Sequence, residues 1–275
     1  MLGTDREGFG FFLWQTFFYF LCASIFTFLI LPLFVIIPIS FSPASYLQFP
    51  PRGFSLRWYA EYFGSRNWVS ATLVSFQVAI ATMIVATVLG TLASLALVRG
   101  EFKGKKLVYG IILSPMIIPV IVIAVATYYL FSRFHLVGTK VGLILAHTVL
   151  AIPFVVVNVT ATLQGFDIAL ERAALSLGAN RFVTFMKVTF PLIRPGMISG
   201  ALFAFIISFD EVVVAVFISG IRAATLPKQM WDGIREALNP TISAVASLLI
   251  VFSILLLFTV EILRRRSMRI KGTVK

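Results

Sequence analysis

The stretch DIALERAALSLGANRFVTFMKVTFPLIRPG, residues 167–196, decides the fold, because it is the longest polar interruption between two apolar runs of the chain. Its first half predicts a short helix that Asp167 caps and whose last turn ends near Leu177. Gly178 then supplies the left-handed residue that commonly follows a helix end, since glycine has no Cβ to clash there.

The second half of the stretch predicts another short helix, from about Asn180 to Thr189. Pro191 and Pro195 follow it. Since proline lacks an amide hydrogen and clashes with the preceding turn, we expect them to end this helix and to restart the chain as a long apolar segment. A helix–glycine–helix–proline unit between two membrane spans is too ordered for a slack linker. The unit therefore indicates a docking surface.

The spacing within this unit resembles a known motif. The run Arg172-Ala173-Ala174-x-x-x-Gly178, followed by Val188-x-Phe190-Pro191, is similar to the EAA loop of ABC-importer permease subunits. The family pattern is Glu-Ala-Ala, three residues, Gly, nine residues and then Ile-x-Leu-Pro, and the spacing matches throughout. An amphipathic surface helix on an unrelated membrane protein is the alternative explanation.

Three positions depart from the family pattern: Arg172 stands in place of Glu, Val188 in place of Ile, and Phe190 in place of Leu. Glu171 lies one residue before Arg172, and we expect it to take over the acidic role. The resemblance implies that this loop contacts a cytoplasmic ATPase. The ATPase-coupling residues that it implies are Glu171, Arg172, Ala173, Ala174, Gly178 and Pro191.

The composition of the whole chain is that of a membrane protein. Of its 275 residues, 59% are hydrophobic and the mean hydropathy is +0.99, which excludes a soluble globular domain. Crossing a hydrocarbon layer of ~30 Å takes roughly 20 apolar residues. The first apolar run lacks a basic segment before it and is too long for a signal peptide, so we expect it to remain as an anchor. Six runs qualify as spans, at about residues 12–39, 69–97, 108–131, 141–161, 197–218 and 243–263.

The net charge of +12 is unevenly distributed over the chain. With six spans and both termini on one side, the segments 1–11, 98–107, 162–196 and 264–275 hold 15 Lys and Arg, and the segments on the other side hold 8. By the positive-inside rule this excess predicts that both termini lie in the cytoplasm, and the resemblance implies a multi-pass protein of the bacterial inner membrane. The run Arg264-Arg265-Arg266 is expected to bind anionic lipid headgroups at the end of the last span, as a basic clamp. Since the positive charge follows the membrane topology, nucleic acid is not an expected partner.

Residues for catalysis or metal binding are scarce. Cys22 is the only cysteine, and His135 and His147 are the only histidines, so we expect no metal site. The chain has no Gly-x-x-x-x-Gly-Lys-Ser/Thr phosphate cradle, so we do not expect it to bind or hydrolyse ATP itself. We therefore predict a transport subunit without a cofactor of its own and without enzymatic activity.

Gln77 in the second span and Asn158 in the fourth are candidates to line a translocation pathway. The alternative for Gln77 is an interhelical hydrogen bond, and the alternative for the fourth span is a packed kink at Pro153. Small and hydroxylated side chains along the second span predict that it is buried in a bundle. In the third span, Pro115 and Pro119 predict a bend.

The fifth span carries a carboxylate pair and a stripe of small residues. Counting 1.5 Å per residue from the start of the span places Asp210 roughly 18 Å into the layer. Carboxylates there usually face a pathway, so Asp210 and Glu211 are pathway candidates; the alternative is that they lie at the outer interface. The stripe predicts close packing against either a neighbouring span or a partner subunit, and consists of Gly196, Gly200, Ala204 and Ser208.

Two outer segments extend the resemblance. The run Leu56-Arg57-Trp58-Tyr59, in a helix that Ser55 is expected to cap, and the pairs Leu226-Pro227 and Asn239-Pro240 are similar to segments of polyamine-type permeases. The resemblance thus covers about residues 55–263 and favours a polyamine or a similar small organic cation as the substrate. Opines, ferric iron and other small solutes stay open, because specificity in such importers rests largely with the binding protein.

The resemblance implies an all-α polytopic fold of the type I ABC importer permease class. Residues 1–275 would form a single transmembrane domain with six helices and a cytoplasmic coupling loop at 162–196. The implied partners are a second permease subunit in a hetero-dimer, two ATP-binding subunits that hold ATP and Mg, and a substrate-binding protein outside the membrane. ATP binding would draw the ATPases together, and the helix at 167–177 would carry that motion to the spans in an alternating-access cycle.

An ion-coupled secondary carrier or a channel is the rival class, because carboxylates within spans occur in those proteins as well. The loop from Arg172 to Pro191 discriminates between the classes, since a carrier that has no ATPase has no reason to keep it. A membrane enzyme is a third class, but no set of residues in the chain supports it.

Overall fold

A computed structural model describes the backbone of residues 5–236 and 239–270, and every regular element in these ranges is helical. Among these helical elements, Ser114–Met116 and Ile221–Ala223 are 3₁₀ turns, and Phe185–Thr189 is a π-helical turn. The helices are α1 (Asp5–Ser40), α2 (Arg57–Gly64), α3 (Arg66–Arg99), α4 (Lys105–Leu113), α5 (Val120–Arg133), α6 (Lys140–Gln164), α7 (Ala169–Ser176), α8 (Arg181–Thr184), α9 (Phe190–Asp210), α10 (Val213–Ile218), α11 (Leu226–Glu236) and α12 (Thr241–Ile270).

Several of these helices have the length and hydropathy to cross a membrane. Within the described residues, the four long crossings are Trp14–Ser40, Arg66–Arg99, Lys140–Gln164 and Arg181–Asp210. The helices α4 and α5 form a fifth crossing if they count as one broken span, and α12 contains the shorter apolar run Thr241–Leu256. The all-α polytopic fold is therefore confirmed, and six spans are compatible with it.

The side chains of the basic clamp at 264–266 lie outside the described part of the chain.

The bend predicted in the third span is confirmed. Pro115 lies in the 3₁₀ turn after α4, Pro119 immediately precedes α5, and the two helical segments are bent by 101°. A proline has no amide hydrogen to donate to the preceding turn, so a helix starts more easily at Pro119 than it continues through it.

The predicted stop at Pro191 and Pro195 is wrong. The π-helical turn runs directly into α9, with Pro191 in the first turn of α9 and Pro195 inside the helix. Proline is tolerated in a first turn because the amide hydrogen that it lacks needs no partner there. Pro195 removes one further backbone bond, the one to the carbonyl of Pro191. As a result, the long helical run of the fifth span begins well before residue 197, and it ends at Asp210 instead of continuing to 218.

The chain divides into two compact units, and the unit made of residues 65–232 and 261 onward is built around α3, α6 and α9. The helices α3 and α6 run parallel, since Thr82 donates to the carbonyl of Ile144 and Ser94 donates to the carbonyl of Val156. The helix α9 runs antiparallel to α6. At one end of this contact, the buried His147 and Ser208 are joined by a hydrogen bond of 2.9 Å.

Glycines bring these three helices into close contact. A Cβ on Gly90 of α3 would lie 2.7 Å from the Cβ of Val155 in α6, and a Cβ on Gly200 of α9 would lie 2.9 Å from the Cα of Val155. Val155 is fully buried. The stripe from Gly196 to Ser208 is buried along its whole length, so it packs against the neighbouring span α6, which decides between the two alternatives left open by the sequence. The burial of α3 predicted from its small residues is confirmed.

The other unit, residues 1–64 and 233–260, contains α1 and α2. The side chain of Ser55 accepts the amide hydrogen of Arg57 at the start of α2, so the predicted cap is confirmed. Trp58 is buried and its indole donates to the carbonyl of Ser42 at 2.8 Å. The most apolar part of α1 contains no buried residue, which suits a helix that faces lipid or a partner.

Candidate functional site

The helix α7 forms where the sequence predicts it. A side-chain oxygen of Asp167 accepts the amide hydrogen of Ala169 at 2.8 Å, and the helix ends at Ser176. Gly178 has a φ of +86°, and its amide donates to the carbonyl of Leu175. The predicted cap and the predicted left-handed glycine are therefore both confirmed. No atom lies within 4 Å of a Cβ built on Gly178, so its backbone conformation, and not space, favours glycine there.

Glu171 ties α7 to the ends of two core helices. One carboxylate oxygen of Glu171 lies 3.3 Å from an Nη atom of Arg99, the last residue of α3, and accepts a hydrogen bond of 3.0 Å from the hydroxyl of Thr189. Thr189 is the last residue of the π-helical turn, which leads into α9. The guanidinium of Arg99 also lies over the ring of Phe166, 4.8 Å from its centre. We call Glu171, Arg99 and Thr189 the Glu171 cluster.

The Glu171 cluster is shielded from water. The side chains of Arg99 and Glu171 are only 22% and 16% exposed, and Thr189 is buried. Hydrogen bonds that involve an ionised partner are stronger than neutral ones, and partial burial reduces their screening by water and salt. A displacement of α7 is therefore resisted at α3 and at the base of α9 together.

Exposed apolar side chains lie on α7 and on the turns that follow it. Arg172 and Ala173 are exposed and Ala174 is half-buried. Exposed apolar side chains that lie close together usually mark an interaction site. We call the exposed apolar residues of α7 and its neighbours the α7 face, which consists of Leu170, Leu175, Leu177, Phe182 and Met186, with exposed fractions between 45% and 88%.

The structure places the six coupling candidates in four positions. Glu171 points to the core, the residues from Arg172 to Ala174 line the helix, and Gly178 turns the chain after it. Pro191 is exposed in the first turn of α9. Sequence reasoning missed Arg99 and Thr189 as partners of Glu171. Arg99 is separated from Glu171 by 72 positions, and no local spacing relates the two residues.

Asp210 and Glu211 lie at a helix break and not midway along a continuous helix. Asp210 is the last residue of α9 and is exposed. A carboxylate oxygen of Glu211 accepts the amide hydrogen of Val214 at 2.9 Å, so Glu211 caps the short helix α10. The helix that contains Asp210 starts before residue 197 and ends at Asp210 itself, whereas the expected depth of roughly 18 Å in the layer stays a prediction.

Gln77 and Asn158 make hydrogen bonds with residues other than the carboxylate pair. The amide oxygen of Gln77 accepts a hydrogen bond of 2.7 Å from Lys140, at the first residue of α6, which is the interhelical bond considered above. The amide nitrogen of Asn158 donates to the carbonyl of Phe154 one turn earlier in α6. The carbonyl of Asn158 lies against Gly196, and fourteen residues of α9 place that level roughly 21 Å from Asp210. Asn158 is thus far from the carboxylates, whereas Phe76, next to Gln77, packs against Phe209, next to Asp210, with ring centres 5.0 Å apart.

An apolar cavity of about 300 Å³ lies beside the break between α9 and α10. Two of its residues, Val212 and Val213, directly follow Glu211, and Trp231 contributes an aromatic ring. A hydrocarbon chain suits this apolar cavity, and an amine suits the carboxylates of Asp210 and Glu211, which directly precede Val212 in the chain. Its lining consists of Ile121, Val212, Val213, Val216, Phe217 and Trp231.

Residues 86–269 match the protein family described as the binding-protein-dependent transport system inner membrane component. The match includes the Glu171 cluster, the α7 face and the break after Asp210. The chain belongs to this family: it is a multi-pass membrane permease component of an ABC importer, a transport subunit and not an enzyme. The carrier or channel considered as a rival class is thereby excluded.

Relatives within the family transport polyamines, according to their names. The chain is 33% identical over 239 residues to the spermidine/putrescine transport system permease protein PotC of Haemophilus influenzae, covering 86% of this chain and 91% of the relative. It is 34% identical over 226 residues to the putrescine transport system permease protein PotI of Escherichia coli K12, covering 80% of each.

Solved structures share the fold. The bacterial alginate ABC transporter in complex with its pentasaccharide-bound periplasmic protein has a chain that is 16% identical to this one, with a TM-score of 0.72 and coverage of 92% of this chain and 94% of that chain. The methionine ABC transporter MetNI has a chain with 21% identity and a TM-score of 0.59, covering 74% of this chain and 99% of that one.

Proposed function

We propose that this permease passes a polyamine, or a similar small organic cation, from an external binding protein to the cytoplasm, driven by ATP hydrolysis in separate subunits. The observation that carries the proposal is the position of α7. Glu171 of α7 binds Arg99 at the end of α3 and Thr189 before α9, while the residues of the α7 face are exposed and apolar.

This arrangement suits the transmission of force from a partner to the spans. An ATPase seated on the α7 face would move α7, and the Glu171 cluster would carry the movement to Arg99 and Thr189 at the ends of two core helices. Because α3, α6 and α9 are in close contact at Val155, they would respond as one packed group. The coupling roles of Arg172, Ala173, Ala174, Gly178 and Pro191 belong to this proposal.

The proposed assembly contains a second permease subunit, two ATP-binding subunits that hold ATP and Mg, and a substrate-binding protein. The permease pair is a hetero-dimer, and residues 1–275 act in it as one transmembrane domain. Both termini lie in the cytoplasm, because Lys and Arg are concentrated in the segments on that side. A reporter fused after Lys275 that is active only outside the membrane tests this orientation: silence supports it, and a strong signal contradicts it.

The substrate class rests on the relatives and on the region around Asp210. The relatives named above carry spermidine and putrescine in their names. A polyamine combines ammonium groups with a hydrocarbon chain, which fits exposed carboxylate next to an apolar cavity. Aromatic rings also attract cations, so Trp231 is suited to the same ligand. Asn158 is a secondary candidate for the pathway, whereas Gln77 is engaged in the hydrogen bond from Lys140.

The coupling experiment uses two pairs of matched variants. Gly178→Val forces a β-branched side chain into a left-handed conformation, whereas Gly178→Asn places there a residue that tolerates it. Ala174→Glu puts a bulky charge beside the α7 face, and Ala174→Ser is its small control. We expect the Val and Glu variants to reach the membrane but to retain the ATPase weakly in a pull-down, or to lose substrate-stimulated hydrolysis.

One outcome would contradict the coupling part of this proposal. Normal complex formation and normal stimulated hydrolysis in both Gly178→Val and Ala174→Glu would show that α7 is not the coupling element.

To test the substrate class, the partner binding protein is titrated with polyamines, amino acids, opines and ferric iron. Binding of a solute other than an organic cation contradicts the substrate class and leaves the coupling proposal intact.

A further inference from the structure

A second cavity, of about 390 Å³, lies at the end of the bundle that carries α7. It is formed where α3 and α6 end and α4 begins, since α3 ends at Arg99, α6 ends at Gln164 and α4 starts at Lys105. This cavity is separate from the Glu171 cluster and from the apolar cavity near Glu211. Its lining contains no acidic side chain and consists of Leu97, Lys105, Lys106, Tyr109, Thr160 and Gln164.

The lining of the cavity includes a buried hydroxyl group that is unpaired in the described part of the chain. Thr160 is only 9% exposed, and its hydroxyl has no hydrogen-bond partner within the described part of the chain. Buried hydroxyl groups in proteins are nearly always paired, because an unpaired one forfeits its hydrogen bonds to water. Lys105 donates to the carbonyl of Gly100 at 3.2 Å, which holds its ammonium group at the cavity.

The polar side chains that line the cavity come from two helices. Lys105, Lys106 and Tyr109 come from the first turns of α4, while Thr160 and Gln164 come from the last turns of α6. Two ammonium groups, a phenol, a hydroxyl and an amide suit a compact anion with several acceptor oxygens. A phosphate group has that chemistry, and lysine binds it as a point charge.

We propose that this cavity binds a phosphate group, either as the headgroup of an anionic phospholipid or as a soluble phosphate. The location fits a headgroup, because α3 and α6 end here and basic pockets between membrane helices bind such headgroups. Leu97 extends the lining towards the apolar part of the span. A phosphodiester headgroup offsets one of the two lysine charges, and the bound anion stabilises the connection of residues 100–104 between α3 and α4. The inference is independent of the proposed substrate.

The test measures binding to the purified full-length permease after exhaustive detergent washing. The probes are short-chain phosphatidylglycerol, short-chain phosphatidylcholine and inorganic phosphate, and the readouts are dissociation constants and the shift of the unfolding temperature. The variants are Lys106→Gln, which removes an exposed charge of the cavity, and Thr160→Val, which removes only the hydroxyl. The matched control is Lys103→Gln, because Lys103 is exposed in the same loop but does not line the cavity.

The expected result is that phosphatidylglycerol binds more tightly than phosphatidylcholine and that Lys106→Gln and Thr160→Val each weaken it by about three- to tenfold, whereas Lys103→Gln does not. Phosphatidylglycerol binding without phosphate binding identifies a lipid site, and binding of both identifies a site for the phosphate group alone. Equal losses for Lys106→Gln and Lys103→Gln, or unchanged affinity in both cavity variants, overturn the proposal. Each variant's unfolding temperature without ligand shows whether it is folded.

Discussion

The contact of α3, α6 and α9 and the attachment of α7 are two kinds of helix packing in one chain. At Val155 the core helices approach closely, because Gly200 lies against the backbone of α6 and Gly90 lies against the side chain of Val155. The helix α7, in contrast, is attached through the carboxylate of Glu171, and its outer side is exposed. Close packing permits little relative movement of the core helices. A few polar contacts at a helix end, in contrast, allow a partner that binds α7 to transmit force to the core helices without contacting them.

The largest expected effect is at the core contact. Gly200→Leu places a large side chain where a Cβ already meets the Cα of Val155, and the backbone of α6 cannot yield as a flexible side chain does. We expect a loss of about 3 kcal/mol, or about 10 °C in unfolding temperature, measured by thermal unfolding of the purified permease. The matched control is Gly110→Leu in α4, where no atom lies within 4 Å of a Cβ. Equal unfolding temperatures for the two variants would contradict the close contact.

The next effect concerns the attachment of α7. Glu171→Ala removes both the ion pair with Arg99 and the acceptor for Thr189, so we expect substrate-stimulated ATP hydrolysis to fall about tenfold while the unfolding temperature changes little. Glu171→Gln keeps an acceptor oxygen for Thr189 and loses the ion pair, so it should fall between the wild type and Glu171→Ala. Normal substrate-stimulated ATP hydrolysis in Glu171→Ala would contradict the coupling role of the Glu171 cluster.

A smaller effect is expected at the far end of α9. Asp210→Asn together with Glu211→Gln removes both charges but keeps an oxygen that can cap α10, so the subunit should assemble. We expect uptake of a cationic substrate to fall about two- to fivefold. The single variant Asp210→Asn should account for most of the loss, because Asp210 is exposed and Glu211 is engaged by Val214. Full uptake by the double variant would leave the pair with a structural role only.

The smallest effect is expected at Gln77. Its hydrogen bond to Lys140 is exposed to solvent, and such bonds contribute about 1 kcal/mol or less. Gln77→Leu should therefore leave uptake unchanged and lower the unfolding temperature by only a few degrees, with Lys140→Met as the variant that removes the same bond from the other side. A large loss of uptake in Gln77→Leu, but not in Lys140→Met, would instead assign Gln77 to the pathway.

The sequence predicts the features that depend on neighbouring residues. The cap at Asp167, the left-handed Gly178 and the bend at Pro119 all follow from the chemistry of one or two residues, and the structure has each of them. The stripe from Gly196 to Ser208 also follows from helical spacing, because small residues at every fourth position lie on one side.

Other features depend on the fold and have no local signal. Arg99 meets Glu171 only because α3 and α7 end close together, and Thr189 meets Glu171 only because a π-helical turn precedes α9. The same turn explains the failed prediction at Pro191, since the chain enters α9 without a break. The helix end at Asp210 also has no local signal, because α9 starts earlier than the span start from which the residues are counted.

The π-helical turn Phe185–Thr189 has a consequence for rotational phase. A π turn holds about one residue more than an α turn, so it absorbs an extra residue without rotating the helix after it against the helix before it. Deleting one residue there, such as Val188, would restore ordinary α winding with little net rotation, whereas deleting one residue within the regular part of α9 would rotate the two sides by about 100°. The turn thus accommodates one extra residue while Thr189 binds Glu171 and the stripe of α9 faces α6.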